Sequence, residues 1–395
     1  MYTTHEKLGV YPSFPEETTG EPAPCPPAFL EYTWYVTLAY SMLDQSWGVH
    51  IPVIGGMMFA ILAAACLFSI GGQATRVYTP VALVLWTTVS VIAIQIYFHS
   101  EQSLNNTYPY IGWLFNVIIA QALALRPGFL HRFAWAAFAI GLCVLPFVKV
   151  GIGGGLIRAG ASGTGIASAN ALGMWFGFCT VYFLSWGLQS RNLWQRAVSW
   201  AVALGCLGIV LLSLSRGPLL GIFLACVVGF LPASKRYFFS MLSLIFLIWL
   251  VYVSELFQPM IDGFFIRGME ETGRGKVWPV ALDRLLDSLW TGVGMDAIST
   301  QSAWNRYITP HNVLLYIGLG AGIIPLICFL GYLARVGTGI LRIVRGVYVG
   351  ETALLPSLVT FAFLEIMQLD TAFMMSWVVV VFALATVKRP LVRET

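Results

Sequence analysis

An all-α, polytopic transmembrane protein of about twelve helical spans is what this sequence predicts, with one long water-compatible loop that carries an amphipathic helix. Two observations lead there. Hydrophobic residues make up 58% of the chain and charged residues only 10%, with a mean hydropathy of +0.79, too apolar and too poor in charge for a soluble fold. The apolar residues also gather into runs near the roughly 20 residues that a helix needs to cross hydrocarbon.

Residues 1–30 are Pro-rich and acidic, with Glu6, Glu16, Glu17 and Glu21. They lack the basic start and short apolar core of a cleaved signal and read as a disordered cytoplasmic tail. Nine apolar runs follow within 31–257, at 31–48, 49–71, 78–98, 108–125, 133–150, 171–189, 197–215, 218–233 and 237–257. The polar loop 258–310 interrupts them. Three further runs within 311–387, at 311–334, 353–369 and 372–387, precede a short cytoplasmic tail at 388–395. Glycines at 153–155 and 318–322 read as small-residue surfaces that let helices approach in lipid. Gly151 to Gly155 lacks the Lys-Ser/Thr and the strand-to-helix context of a phosphate-cradling loop. No internal repeat and no matched pair of broken helices point to a secondary transporter. Glu365 and Asp370, near the end of the eleventh run, are either a solvated or paired helix end or groups that reach an outer cavity.

Lys and Arg set the orientation, because cytoplasmic flanks carry the excess. With the N-terminus inside, fourteen of the 22 Lys and Arg lie on the cytoplasmic side. The outer eight are Lys149, Arg158, Arg216, Arg267, Arg274, Lys276, Arg284 and Arg306, and five of them sit in the single long loop. The breach of the rule is therefore local, which suggests a task for that loop. Six of the seven Cys fall in spans and Cys25 in the tail, so the sequence predicts no loop disulfide, and no Cys/His spacing suggests a metal site. The net charge of +4 mostly records the cytoplasmic flanks and predicts no nucleic-acid partner.

Four stretches on the outer side carry the candidate chemistry. Arg216 stands in Ser213-Leu214-Ser215-Arg216-Gly217-Pro218, where two apolar runs meet. Such a cation either snorkels to the interface or faces protein, water or an anion, and the helix break at Gly217-Pro218 leaves backbone N–H groups able to face an anion too. Arg274 and Lys276 precede the stretch 278–290, whose apolar residues Trp278, Ala281, Leu282, Leu285, Leu286 and Leu289 follow helical spacing. Asp283, Arg284 and Asp287 occupy its other face, so this helix can lie on the bilayer or roof a cavity. Gly292-Val293-Gly294 turns the chain. The loop acids nearly balance its cations, and a structural ion-pair network is the alternative to anion binding. His311 opens the tenth run, with Asn312 beside it as a possible orienting partner. An imidazole there is either a helix cap or a group that can take a proton from a hydroxyl.

No paired carboxylates for a nucleotide-sugar metal, no P-loop and no Gly-x-Ser-x-Gly are present, and no metal or organic cofactor is expected. Cations with one base suit displacement of a polyprenyl pyrophosphate, the Arg side chains neutralising charge on the leaving group. At these residues the chain resembles the O-antigen ligase and polymerase superfamily of bacterial polyprenyl-linked glycan transferases. Ser-Leu-Ser-Arg-Gly at 213–217, Gly-Arg-Gly-Lys-Val-Trp at 273–278, Thr-Gly-Val-Gly at 291–294 and Pro-His-Asn at 310–312 carry the resemblance, with Asn170 in Ser168-Ala169-Asn170-Ala171-Leu172-Gly173.

The resemblance implies a metal-independent, inverting glycosyltransferase of the bacterial inner membrane. It would move a glycan from undecaprenyl pyrophosphate to an acceptor hydroxyl on the periplasmic face, the long loop being periplasmic. Its partners would be the lipid-linked glycan donor, a glycan or lipid A core acceptor, and membrane lipids. Arg216 and Arg274 would hold the pyrophosphate and His311 would act on the acceptor, making these three the catalytic set. Arg158, Asn170, Lys276, Trp278 and Asn312 would bind substrate, Arg158 and Lys276 being assigned on charge and side alone. A surface-polysaccharide polymerase is favoured over a ligase, since nothing in the loop marks a lipid A receptor. A flippase for lipid-linked oligosaccharide would use the same outer cations but needs a polar path through the bilayer. A scaffold without chemistry would leave those cations dispensable.

Overall fold

Apolar helices account for nearly all of the computed structural model, which describes residues 25–43, 52–71, 74–153, 156–190, 192–230, 274–301, 307–345, 350–368 and 375–387. The apolar run 237–257, Arg267, Arg306 and Asp370 lie outside the described residues. In chain order the helices are α1 (Ala28–Leu43), α2 (Pro52–Ile70), α3 (Ala74–Phe98), the short α4 (Glu101–Asn105), α5 (Tyr108–Leu123), α6 (Phe129–Val144), α7 (Ala169–Gln189), α8 (Leu193–Leu212) and α9 (Arg216–Phe230). After them come α10 (Arg274–Asp287), α11 (Val313–Ala321), α12 (Ile323–Arg345), α13 (Leu355–Ile366) and α14 (Ser376–Val387). Among the described residues, five segments are long and apolar enough to cross a membrane: Val77–Phe98, Phe129–Phe147, Ala169–Gln189, Leu193–Leu212 and Ile323–Val344. Gly55–Ile70, Arg216–Gly229 and Ser376–Val387 are apolar but shorter.

Two helices are enclosed by the others. Residues 172–183 of α7 and every residue of α14 are buried, as expected of helices that are hydrophobic all round. Glycine brings their neighbours close. Gly177 of α7 and Gly221 of α9 both rest against the Phe361 ring of α13, and Gly229 meets Ser357 one turn away on the same face of α13. Gly339 of α12 lies against the Ala385 backbone of α14, so any side chain there would collide with main chain.

The all-α expectation needs two corrections. Residues 148–161 form an antiparallel hairpin, β1 (Val148–Gly153) with β2 (Leu156–Ala161), so the span read at 133–150 ends its helix at Val144 and Gly153 is a strand residue. A short apolar run bounded by glycine fits strand or helix by periodicity alone. A minimal ribbon, β3 (Thr300–Gln301) with β4 (Tyr307–Ile308), follows α10.

The span read at 311–334 is two helices. Gly322 adopts φ 83°, and a β-carbon there would run into the backbone at Trp290, a positive-φ conformation and a close approach that only glycine accepts. The nine residues of α11 rise only about 14 Å, too short to cross a bilayer, whereas α12 is long enough. The break is held from outside. Val293 N–H donates to Leu319 O (2.7 Å), Gly294 N–H to Gly320 O (3.2 Å) and Ile323 N–H to Leu289 O (2.8 Å). Gln95 of α3 donates to Gly320 O (3.0 Å) and accepts from Ser103 Oγ (2.5 Å) and Met295 N–H (3.1 Å). The Thr-Gly-Val-Gly motif is thus a clasp on the α11–α12 break.

The helix ends opposite the clasp are tied by charge. Glu31, fully buried, takes Arg126 Nε at 2.7 Å and Arg132 Nε at 2.7 Å, and Tyr35 Oη donates to it at 2.6 Å. Nearby, Glu351 Oε1 accepts the His131 N–H at 2.8 Å and the His131 ring meets Tyr182 Oη at 2.7 Å.

Candidate active site

Arg216 is the first residue of α9, and the turn before it is built by side chains. Ser213 Oγ donates to Val210 O (2.7 Å) and accepts from Ser215 N–H (3.3 Å). Ser215 Oγ donates to Asn170 Oδ1 (2.9 Å), joining the start of α9 to the first turn of α7. Gly173, one turn on, leaves the room that Ser213, Ser215 and Pro218 occupy. The Ser-Leu-Ser-Arg-Gly motif therefore ties Asn170 to Ser215, the residue before Arg216.

His311 sits in a comparable seat. Trp278 of α10 donates Nε1–H to Pro310 O (2.7 Å), and Asn312 caps α11 by accepting from Leu314 N–H (2.9 Å) and Leu315 N–H (3.2 Å). Neighbours on both sides thus fix the backbone of His311. Trp278 and Asn312, expected to bind substrate, spend these atoms on positioning it.

The C-terminal end of α13 joins the two seats. Gln368 packs its amide against Gly217, next to Arg216. Met367 Sδ receives Asn312 Nδ2 at 3.7 Å, next to His311. Glu365, one turn back, is fully buried with its carboxylate toward Gly221, so it is no solvated helix end. Gln368 and Met367 were not legible as site residues, because neutral side chains at a helix end carry no compositional signal.

Backbone strain marks the same two places. Among the described residues, the non-glycine residues with positive φ are Leu214 (47°) and His311 (47°). Left-handed backbone at such residues costs on the order of 1–3 kcal/mol and clusters at functional sites. Beside Asn170 and Gln368 lies a cavity of about 440 Å³.

Arg274 and Lys276 lie in the first turn of α10 and Arg158 stands opposite Gly151 in the β1–β2 hairpin. The side chains of all three lie outside the described part, so the structure does not join them to the cluster. Arg284 is anchored to main chain, donating to Ala297 O (2.7 Å) and Ser299 O (3.3 Å). On α10, Val277, Ala281 and Leu285 are buried, while Trp278, Leu282 and Leu286, with Trp290 in the turn that follows, are exposed apolar residues. A second histidine, His99, meets Thr291 O at 3.2 Å and so belongs to the clasp.

Arg216, the α10 start, the clasp and His311 all fall within one stretch of chain. Residues 200–330 match the family model described as O-antigen ligase. The O-antigen ligase match supports the superfamily that the motifs resemble, and with it a multi-pass membrane protein of ligase or polymerase type. It covers both strained seats and the whole of α10, whereas Asn170, Met367 and Gln368 lie outside it. No curated protein matches the chain.

Proposed function

We propose that the chain is a glycosyltransferase of the bacterial inner membrane that moves a glycan from undecaprenyl pyrophosphate to an acceptor hydroxyl on the periplasmic face. It would act as an O-antigen or exopolysaccharide polymerase or as an O-antigen ligase onto lipid A core. One observation supports this reading. The end of α13 touches both Gly217, next in sequence to Arg216, and Asn312, next to His311, so the backbone seats of a cation and an imidazole from distant parts of the chain share a neighbour.

In this reading the acceptor oxygen attacks the anomeric carbon of the donor sugar as His311 takes the hydroxyl proton. The bond from that carbon to the pyrophosphate oxygen breaks with its electron pair, inverting the carbon and releasing the lipid pyrophosphate. Arg216 and Arg274 neutralise the charge that grows on the leaving group, which in a site shielded from water lowers the barrier most effectively. These cations take the part that a metal ion plays in other transferases. The fixed φ of His311 and the Asn170–Ser215 bond before Arg216 supply preorganisation, since groups set in place beforehand cost nothing to align during reaction.

The test is turnover by purified, chelator-washed protein given undecaprenyl-pyrophosphate-linked glycan and candidate acceptors. Release of undecaprenyl pyrophosphate together with a lengthened or transferred glycan is expected. A strict need for added divalent metal would overturn the cation-only chemistry.

A further inference from the structure

One side of α10 is apolar, exposed and unused by the glycosyl-transfer chemistry. Successive residues of an α-helix step round the axis by about 100°, which divides α10 lengthwise into strips. Val277, Ala281 and Leu285 form a buried strip, with the Leu285 side chain against Gly318 of α11. Trp278, Leu282 and Leu286 form the strip beside it and are exposed, Leu286 by 60%. Asp283 and Asp287, exposed as well, come next round the helix. The helix thus docks on α11 with only part of its apolar arc. Exposed apolar surface rimmed by polar residues marks a contact with a partner or a membrane.

The chain around the end of α10 says which. Ile323 N–H donates to Leu289 O at 2.8 Å, so the first residue of α12 abuts the end of α10. His99, next after the last residue of α3, meets Thr291 O at 3.2 Å. Trp290, between these two contacts and 69% exposed, is therefore held at the ends of two helices that are long and apolar enough to cross a membrane. Both helices carry exposed apolar side chains at those ends, Tyr97 and Phe98 on α3 and Ile324 and Ile327 on α12. On a membrane-crossing helix such residues face lipid, and aromatic residues gather where hydrocarbon gives way to headgroups. The lipid-facing ends of two spans flank Trp290, and Leu286 lies one turn before it. An amphipathic helix at that level, with Leu and Trp on one side and carboxylates on another, has the form of a helix that lies in the membrane surface.

We propose that α10 is seated in the bilayer surface by Leu282, Leu286 and Trp290, with phospholipid as its partner, and that this seating holds its first turn, with Arg274 and Lys276, at the depth of the headgroup phosphates. A lipid pyrophosphate lies at that depth already, so the carrier is met without being lifted from the leaflet. The seating stands on its own, and the step concerning the carrier rests on the glycosyl-transfer reading.

The experiment is spin-label accessibility on the full chain in nanodiscs of phosphatidylethanolamine and phosphatidylglycerol. Cys25, Cys143 and Cys328, the cysteines that are not buried, are replaced by Ala, and a nitroxide is introduced by Leu282→Cys, Leu286→Cys, Asp283→Cys or Asp287→Cys, one at a time. Oxygen concentrates in lipid and a nickel chelate in water. The ratio of oxygen to nickel access is expected to be several-fold higher at 282 and 286 than at 283 and 287, and either leucine position suffices if the other variant fails to fold. A water-like ratio at 282 and 286 overturns the seating. Low access to both reagents there means that protein covers the strip, a second copy if the nitroxides broaden one another, and overturns it too. The carrier step is read from Leu282→Asp combined with Leu286→Asp, which should lower transfer from the undecaprenyl-linked donor about tenfold or more and leave transfer from a donor on a short, water-soluble carrier unchanged. An equal change with both donors, or none with either, overturns that step. An unaltered protein inactive on both donors overturns the glycosyl-transfer reading and leaves the seating to the spin labels.

Discussion

The bundle has two polar ends, and they are built on opposite principles. Around Glu31, charge is matched by charge. One buried carboxylate collects Arg126, Arg132 and the Tyr35 hydroxyl, Arg126 and Arg132 also donate to the Pro26 and Pro127 carbonyls, and the helices α1, α5 and α6 are tied where they meet. Around Arg216 the described contacts come from neutral groups. Asn170, Ser215, Asn312, Gln368 and the Trp278 indole hold two strained backbone seats beside a cavity. An end that satisfies its own charges serves stability. An end that holds strained backbone with neutral side chains next to a cavity has the form expected of a functional site.

Substitutions at the two ends should therefore fail in different ways. The largest effect is expected on catalysis. His311→Ala and Arg216→Ala should each lower glycan transfer by about 10²–10⁴-fold, the range for loss of a general base or of a preorganised charge. The melting temperature followed by size-exclusion chromatography should stay near that of the unaltered protein. Glu31→Ala should do the reverse. It leaves two guanidinium groups, partly buried, without their carboxylate, and should cost toward the lower end of the roughly 3–5 kcal/mol typical of a broken buried pair, while activity per folded molecule is retained. Normal activity with a normal melting temperature in Glu31→Ala would erase the contrast.

The clasp on the α11–α12 break gives a smaller effect. Gly292 has φ 68°, and a β-carbon there would lie 2.5 Å from Leu319 O and 2.7 Å from Ala321 N, so Gly292→Ala should destabilise by about 1–3 kcal/mol. Faster proteolysis between α10 and α11 is the accompanying sign, and protection equal to the unaltered protein would count against the clasp. The smallest effect is expected at Asn312. Asn312→Ala removes the α11 cap at a cost of about 0.5–2 kcal/mol, and Asn312→Asp should restore most of it. If the cap also seats His311, Asn312→Ala lowers kcat more than it raises KM, a split that loss of stability alone does not produce.

The contrast between the ends was only partly legible in the sequence. Long uniform runs such as 78–98 and 171–189 announced α3 and α7, because hydropathy over twenty residues reports what lipid or a buried core demands. The break at Gly322 was hidden inside an unbroken apolar run and is enforced by the backbone at Trp290, far away in sequence. The β1–β2 hairpin was hidden by the same ambiguity of short apolar runs. At the site, Arg216 and His311 were visible as polar residues at apolar junctions, and Asn170 only through the family resemblance. The strain at Leu214 and His311 was not, since leucine rarely adopts left-handed backbone and histidine, though enriched there, does so only in a minority of cases. Gln368 and Met367 matter only through which helices meet, and Glu31 was unremarkable until Arg126 of the α5–α6 turn and Arg132 of α6 converged on it.

The most direct measurement follows one lipid-linked substrate in proteoliposomes, counting undecaprenyl pyrophosphate released, glycan transferred and substrate moved between leaflets, for the unaltered protein, Arg216→Ala, His311→Ala and Glu31→Gln. Release and transfer in equal amounts are expected for the unaltered protein and, per folded molecule, for Glu31→Gln, with both nearly lost in Arg216→Ala and His311→Ala. Full turnover in those two variants, or movement between leaflets with no carrier released, would contradict a transferase whose chemistry lies at the Arg216 end.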